Sequence, residues 1–508
     1  MPDKYYDVIV VGRSLGALVA AALLARRDFT VLVVGHQRPG PEYRALGRIL
    51  RRRAFTLLAA TSPVWRRVVG ELAQTQTWKR RVELQSPMLQ VLMGRRRFEV
   101  PPDTELFVRA VERDFPDMRR HIADLYRDFA RVTAAADAAF DRDAVWPPGS
   151  FMERRQTGRV ASTLPYARSE PHADLLAEFP RAHPYRAIVT ESVRFATDLA
   201  TPAPAFAAAR LHGAWTRGLL SLPGGERELE AMLLERLDQN GGMYLADERV
   251  AAIEVRRRTI AALHIDGEPR PIGAGWVITD MMGEEMAALA GGQGISKRAQ
   301  RDWPRLIPST RRFVASLVVR REGVPSPLGP EVLVFPHASS PLGTIHLQRS
   351  PLGDEVLLTV EVLRGERDAL PLTRVRGAIV ARLCRELPYL ERHLVVVDSL
   401  HDGLPTWRYE GNAQHAVPPI EVEREGGGRR IEPMDRQVEV DPPGYLGLGG
   451  EPIRGPIDRS LLVGSSVLPG LGQEGRVLAA VGAARIVTQS DKRKARMRRE
   501  MWTKLEIS

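Results

Sequence analysis

Three glycine-bearing turns hold the residues of this chain whose types and spacing could do chemistry. The first, Gly12-Arg13-Ser14-Leu15-Gly16-Ala17, follows the β-branched run Val8-Ile9-Val10-Val11 and leads into an Ala- and Leu-rich stretch at 18–27; Phe29 to Val34 then returns as a strand. Strand, turn, helix and strand in that order make a right-handed βαβ unit with parallel strands. Its turn can cradle a pyrophosphate, because glycines allow the tight bend, the close approach of the ligand and the close packing of helix on strand. The free amides of the helix N-terminus then face the phosphate charge. Here Gly12 keeps the first place. Ser14 stands in the second, where its Cβ would occupy pyrophosphate space, and Ala17 in the third, a tolerated variant. Gly35-His36 ends the second strand, where an acid would bond a ribose hydroxyl. An ordinary βαβ unit with no ligand is the alternative.

The second turn, Leu222-Pro223-Gly224-Gly225, precedes a helical stretch at 226–240 and the strand around Val250 to Val255. The third follows Ser460-Leu461-Leu462-Val463-Gly464-Ser465-Ser466 and reads Pro469-Gly470-Leu471-Gly472-Gln473-Glu474-Gly475. A helix at 476–489 comes next, with Val477, Val481, Ala484 and Val487 at helical spacing. Glycines here let the chain run close to a flat ring, or serve only helix–sheet packing.

No other constellation competes. The sequence has no Cys/His cluster at metal spacing, so no metal is expected; His172 and His183 are too far apart for one helical turn. No Gly-x-Ser-x-Gly elbow occurs. Asp280 ends an apolar strand, as an acid beside a cofactor can, and equally suits a helix cap. Trp215, Trp407 and Tyr409 read better as core than as pocket lining, and Cys384 as a small apolar residue in a helix. No catalytic acid or base stands out.

These turns need elements to position them. At 508 residues, 44% hydrophobic and 27% charged, the chain is long enough for two or more domains and too apolar for disorder; a single cysteine excludes a disulfide scaffold. The longest apolar run, at 15–25, falls short of the roughly 18 residues a membrane span needs. The start lacks the basic region of a signal peptide, so the expected location is cytoplasmic. Helices are expected at 106–113, 118–133, within 172–218 and at 374–386, and short strands between 311 and 364. The stretch 425–433 reads as a glycine-rich loop.

The net charge is +11, and thirteen basic residues against Glu71 and Glu83 crowd 44–97. A solvated face is the first reading of that segment, peripheral contact with an anionic membrane the second. Nucleic acid is not expected, since no binding motif accompanies the charge. The basic tail at 491–508 reads as a free tail or as a lipid contact.

The three turns, in this order, resemble the phytoene desaturase and carotenoid isomerase branch of the FAD-dependent amine-oxidase-like superfamily. The resemblance implies an α/β chain: a discontinuous Rossmann-like FAD-binding domain (1–60, 219–295 and 455–490) with an α+β substrate domain (61–218 and 296–454). It implies that Gly12, with Ser14, Leu15, Gly16, Ala17 and His36, surrounds the AMP and pyrophosphate half. The Val250 backbone would meet adenine, Gly464 and Ser465 the ribityl side, and Pro469, Gly470, Gly472 and Gly475 the isoalloxazine ring. The implied activity is hydride transfer to the flavin from an apolar, polyene-like small molecule in a long apolar tunnel. Two alternatives stand beside it. One is a flavin-free relative, like the Rab GDP-dissociation inhibitors, that binds a lipid or lipidated protein. The other is an NAD(P)-binding protein with His36 and Arg38 near a 2′-phosphate.

Overall fold

The computed structural model describes residues 4–166, 173–215, 217–337, 340–417 and 431–491. His172, most of the 425–433 loop and the basic tail beyond 491 lie outside these described residues.

Strand β1 (Tyr5–Val11) is buried on both faces along Val8 to Val11, which is why its sequence does not alternate. Helix α1 (Leu15–Arg26) follows, then β2 (Val31–Val34), α2 (Gly225–Gln239), β3 (Met243–Leu245), β4 (Val250–Arg256), β5 (Thr259–Ile265), β6 (Ile272–Thr279), β7 (Ser460–Leu462) and α3 (Gly472–Ser490). The strands form one sheet in the order β4-β5-β6-β1-β2-β3, with β7 also on β6. β1 runs parallel to β2 and to β6, and β6 parallel to β7, so their carboxyl ends gather at one edge. Three distant stretches of sequence therefore build one parallel core.

Every residue of α1 from Gly16 to Ala25 is buried. A helix apolar all round must be covered on all sides. The sheet covers one side and α3 another: a Cβ on Gly16 would overlap the Val463 carbonyl and lie 3.2 Å from that of Arg476.

A second, ten-stranded sheet is built on the long strand Arg305–Arg320. That strand pairs antiparallel with Glu355–Gly365 from Thr310↔Gly365 to Arg320↔Glu355. One face, with Phe313, Leu317, Leu358 and Val360, packs on Val375, Ile379 and Leu383 of the helix Leu372–Glu386. The other face carries Ser316, Glu331, His346, Gln348, Thr359 and Glu361, all buried. Among the other helices, Thr104–Asp114 matches the expectation closely, while Arg119–Phe140 runs a further seven residues beyond Thr133 to its end.

Candidate functional site

The opening turn begins at Gly12, whose φ of +117° is a conformation L side chains rarely adopt. A Cβ there would overlap the carboxylate of Asp280. The sheet explains the meeting: Val11 ends β1 opposite Thr279 at the end of β6, so the residues after the two strands lie side by side. Ser14 caps α1, its Oγ accepting from the Ala17 amide at 3.4 Å. Its own amide donates to Asp280 Oδ2 at 2.8 Å. The first turn of α1 contains no acid, so Asp280 brings the negative charge that a helix N-terminus favours. The other oxygen, Oδ1, is buried without a hydrogen-bond partner among the described residues.

Neighbouring side chains complete a charged rim. Arg13 donates through Nε to Glu230 Oε1 at 2.8 Å and through Nη1 to the Arg38 carbonyl at 3.2 Å. His36, at φ +56°, accepts the Val250 amide on Nδ1 at 3.1 Å. Burial lowers the His36 pKa, followed by the charge of Arg38 and, more weakly, of Arg249, against opposing pulls from Asp280 and Glu285. His36 thus spends Nδ1 on the chain's own backbone, and none of these contacts supports NAD(P). Leu15 is half-buried against the core, and Ala17 is wholly buried.

At the closing turn, a Cβ on Gly464 would overlap the Asp280 carbonyl. The Val463 amide donates to the Thr279 carbonyl at 2.9 Å. The opening turn, the end of β6 and the closing segment thus converge on Asp280. Ser465, the next residue, is half-buried. Farther on, Pro469, Gly470 and Leu471 form a buried 3-10 turn. The Pro469 carbonyl accepts from Thr197 Oγ1 and from the Asp198 amide, both at 2.9 Å, and the Gly470 amide donates to the Leu448 carbonyl at 3.0 Å. Gly472, at φ +51°, lies against the Ala196 carbonyl, and Gly475 against that of Leu468. The resemblance sets these glycines beside a ring; the structure sets them against the chain's own backbone.

Two ion pairs, one buried and one half-buried, anchor that turn. Arg210 holds Glu474 through Nε–Oε2 at 2.8 Å and Nη2–Oε1 at 2.6 Å, and also reaches Asp137 Oδ1 at 2.7 Å. Burial pushes the Glu474 carboxyl up, but Arg210 outweighs it and holds the group at about 2. Arg476 Nη2 donates to both oxygens of Asp198, at 2.7 and 2.8 Å.

The sequence reading missed a third cluster. On the polar face of the large sheet, His346 bonds Glu331 through Nε2 and Glu361 through Nδ1, the latter at 3.2 Å. Burial lowers its pKa, yet the two carboxylates raise it to about 9. Thr56 Oγ1 donates to Glu331, and Arg312 Nη2 to the Thr197 carbonyl at 2.8 Å, which ties this face to the closing turn. The only signal in the sequence was alternation: His346 lies between Ile345 and Leu347, which point to the opposite, apolar face. This face of the sheet is therefore a buried polar layer and not an apolar one.

The basic segment presents less free charge than its composition implies. Arg48 pairs with Glu355, Arg52 with Glu432, Arg53 with Glu226, Arg67 with Asp141 and Arg81 with Glu228. Trp215 is core, as expected, and the Arg376 guanidinium stacks 4.8 Å from the Trp407 ring centre. Burial pushes the half-buried Cys384 thiol up to about 11. A surface cavity of about 510 Å³, lined by Leu46, Arg48, Val396 and Tyr409 among others, includes no residue of the three turns. Among the described residues no group of three or more His, Cys, Asp or Glu is placed to hold a metal ion, and no helix is long and apolar enough to cross a membrane.

A dinucleotide in this cradle needs the Ser14 amide, the space over Gly12 and the Val250 amide. The backbone path suits such a ligand. The Asp280 carboxylate and the His36 ring, which hold those three places, do not. With these two side chains as placed the dinucleotide is excluded, it fits only once they turn away, and no chemistry of it follows from the present arrangement.

No family model and no curated protein matches the chain. Solved structures do. An oxidoreductase from Methanosarcina mazei superposes with a TM-score of 0.56 at 15% identity, covering 94% of this chain and 99% of that one. The PF1083 protein from Pyrococcus furiosus gives 0.54 at 14% identity, covering 94% and 97%. A putrescine oxidase bound to putrescine gives 0.53 at 15% identity, covering 96% and 99%. At such identities the likeness establishes the fold, a Rossmann-type α/β nucleotide fold with a second, mixed sheet.

Proposed function

We propose that this chain is an oxidoreductase of the FAD-dependent, amine-oxidase-like class, with its nucleotide cradle at the carboxyl ends of β1, β6 and β7. One observation carries the proposal: Gly12, Ser14 and Gly464 converge on the single residue Asp280 at the end of adjacent parallel strands. That is the edge of an open α/β sheet where ligands bind. The near-complete overlap with an oxidoreductase and with a putrescine oxidase supports it.

The desaturase or isomerase type rests on the order of the three turns, of which the closing motif is the best kept. A second reading has its own observation: with Asp280 and His36 on the two amides, the chain also suits a flavin-free relative that binds a lipid or lipidated partner. FAD titration of the purified full chain, followed by the visible flavin spectrum, separates the two. Saturable uptake by the wild type or by Asp280→Asn supports the oxidoreductase. No uptake by either, with the fold intact, supports the flavin-free relative.

A further inference from the structure

We infer that Asp280 is a built-in counter-ion that decides whether the cradle admits an anionic ligand. The inference rests on the cradle proposed above and says how that cradle is regulated. A left-handed glycine at the end of a first parallel strand makes room for something to approach closely, and at Gly12 the approaching group is the Asp280 carboxylate. That carboxylate takes the Ser14 amide at 2.8 Å, the first donor a phosphate would use. Both cannot hold it, and two anions at one helix N-terminus repel.

The obstruction is a side chain and not the fold. Over Gly12 the three nearest atoms are all Asp280 side-chain atoms, whereas over Gly16 and Gly464 the nearest are backbone carbonyls. Rotation of one side chain would clear the place without moving a strand. The arrangement is also incomplete in itself, since Oδ1 is buried with no donor among the described residues. A carboxylate so placed gives up part of its hydration and recovers one hydrogen bond among the described residues. Ser14, whose Cβ the sequence marked as the obstacle, is here an ordinary helix cap.

The test uses the full chain as wild type, Asp280→Ala and Asp280→Asn, each first shown to melt cooperatively. Should the Ala variant not fold, the Asn variant, which keeps the shape and loses the charge, carries the test. The probes are inorganic pyrophosphate, read by melting temperature, and FAD, read by fluorescence quenching. Pyrophosphate is expected to raise the melting temperature of the variants and leave the wild type unmoved. FAD is expected to bind the variants about tenfold or more tightly than the wild type, the equivalent of one charge-assisted hydrogen bond. Equal pyrophosphate shifts in all three proteins, or none in any, overturn the role of Asp280. Pyrophosphate binding confined to the variants, with no FAD binding, upholds the counter-ion and removes the flavin reading instead.

Discussion

At Gly12 of the opening turn the atoms that crowd the glycine belong to a side chain; at the closing turn the nearest belong to the backbone. Gly12 faces the Asp280 carboxylate, while Gly472 and Gly475 face the carbonyls of Ala196 and Leu468. The opening motif is the more worn of the two, with Ser14 and His36 in irregular places, yet a single side-chain rotation would free its helix amide. The closing motif is the better preserved, yet its glycines are occupied in packing. Motif quality therefore does not rank the turns by their readiness to hold a ligand. What ranks them is whether the neighbour that fills the glycine's space can move.

The largest effect is expected where the closing turn is anchored. Glu474→Ala leaves the buried Arg210 with Asp137 and the Thr133 carbonyl and is expected to cost about 3 kcal/mol, at the lower end of what breaking a buried pair costs. Urea unfolding measures it, and a loss near zero would mean that the turn does not depend on that pair. The same group predicts acid behaviour. Its folded pKa is depressed from 4.5 to about 2, so the stability it contributes is present above pH 4.5 and is lost as pH falls toward 2. Glu474→Gln should flatten that part of the profile.

Next come the glycines. Gly472→Ala adds a Cβ at φ +51° against a carbonyl that cannot yield, for an expected loss of about 1–3 kcal/mol. Gly12→Ala should cost less in an Asp280→Ala background than in the wild type, because its clash is with that side chain. Equal costs in both backgrounds would erase the contrast between the turns.

His346 sets an alkaline limit. Its folded pKa is raised from 6.5 to about 9, so its contribution is complete below pH 6.5 and is lost as pH rises through 9. Unfolding midpoints across that window should fall in the wild type and stay level in His346→Gln. The smallest effect is expected from Ser14→Gly, a few tenths of a kcal/mol for a cap whose bond is 3.4 Å long. FAD affinity in this variant should stay at the wild-type level; a rise matching that of Asp280→Ala would return the obstruction to Ser14.

Much of the scaffold was legible. The unbroken Val8–Val11 run and the Ala-rich helix behind it could only be a buried βαβ start, and the glycine and proline spacing marked the other two turns. The site was harder, because its decisive contacts join residues far apart in the chain. Asp280 was noticed as an acid ending a strand, but its bond to Ser14 depends on the pairing of Val11 with Thr279. The closing glycines announced a close approach without saying what approaches. The arginines of 44–97 read as free charge because their partners, such as Glu355 for Arg48 and Glu226 for Arg53, lie hundreds of residues away or on another element.

The central claim is that three stretches of chain meet in one cradle with the Asp280 carboxylate at its centre. A diffraction map of Asp280→Asn grown with FAD tests it most directly. The account predicts pyrophosphate density within hydrogen-bonding distance of the Ser14 amide, with the adenine toward Val250. Nucleotide density at any other place on the molecule would contradict it.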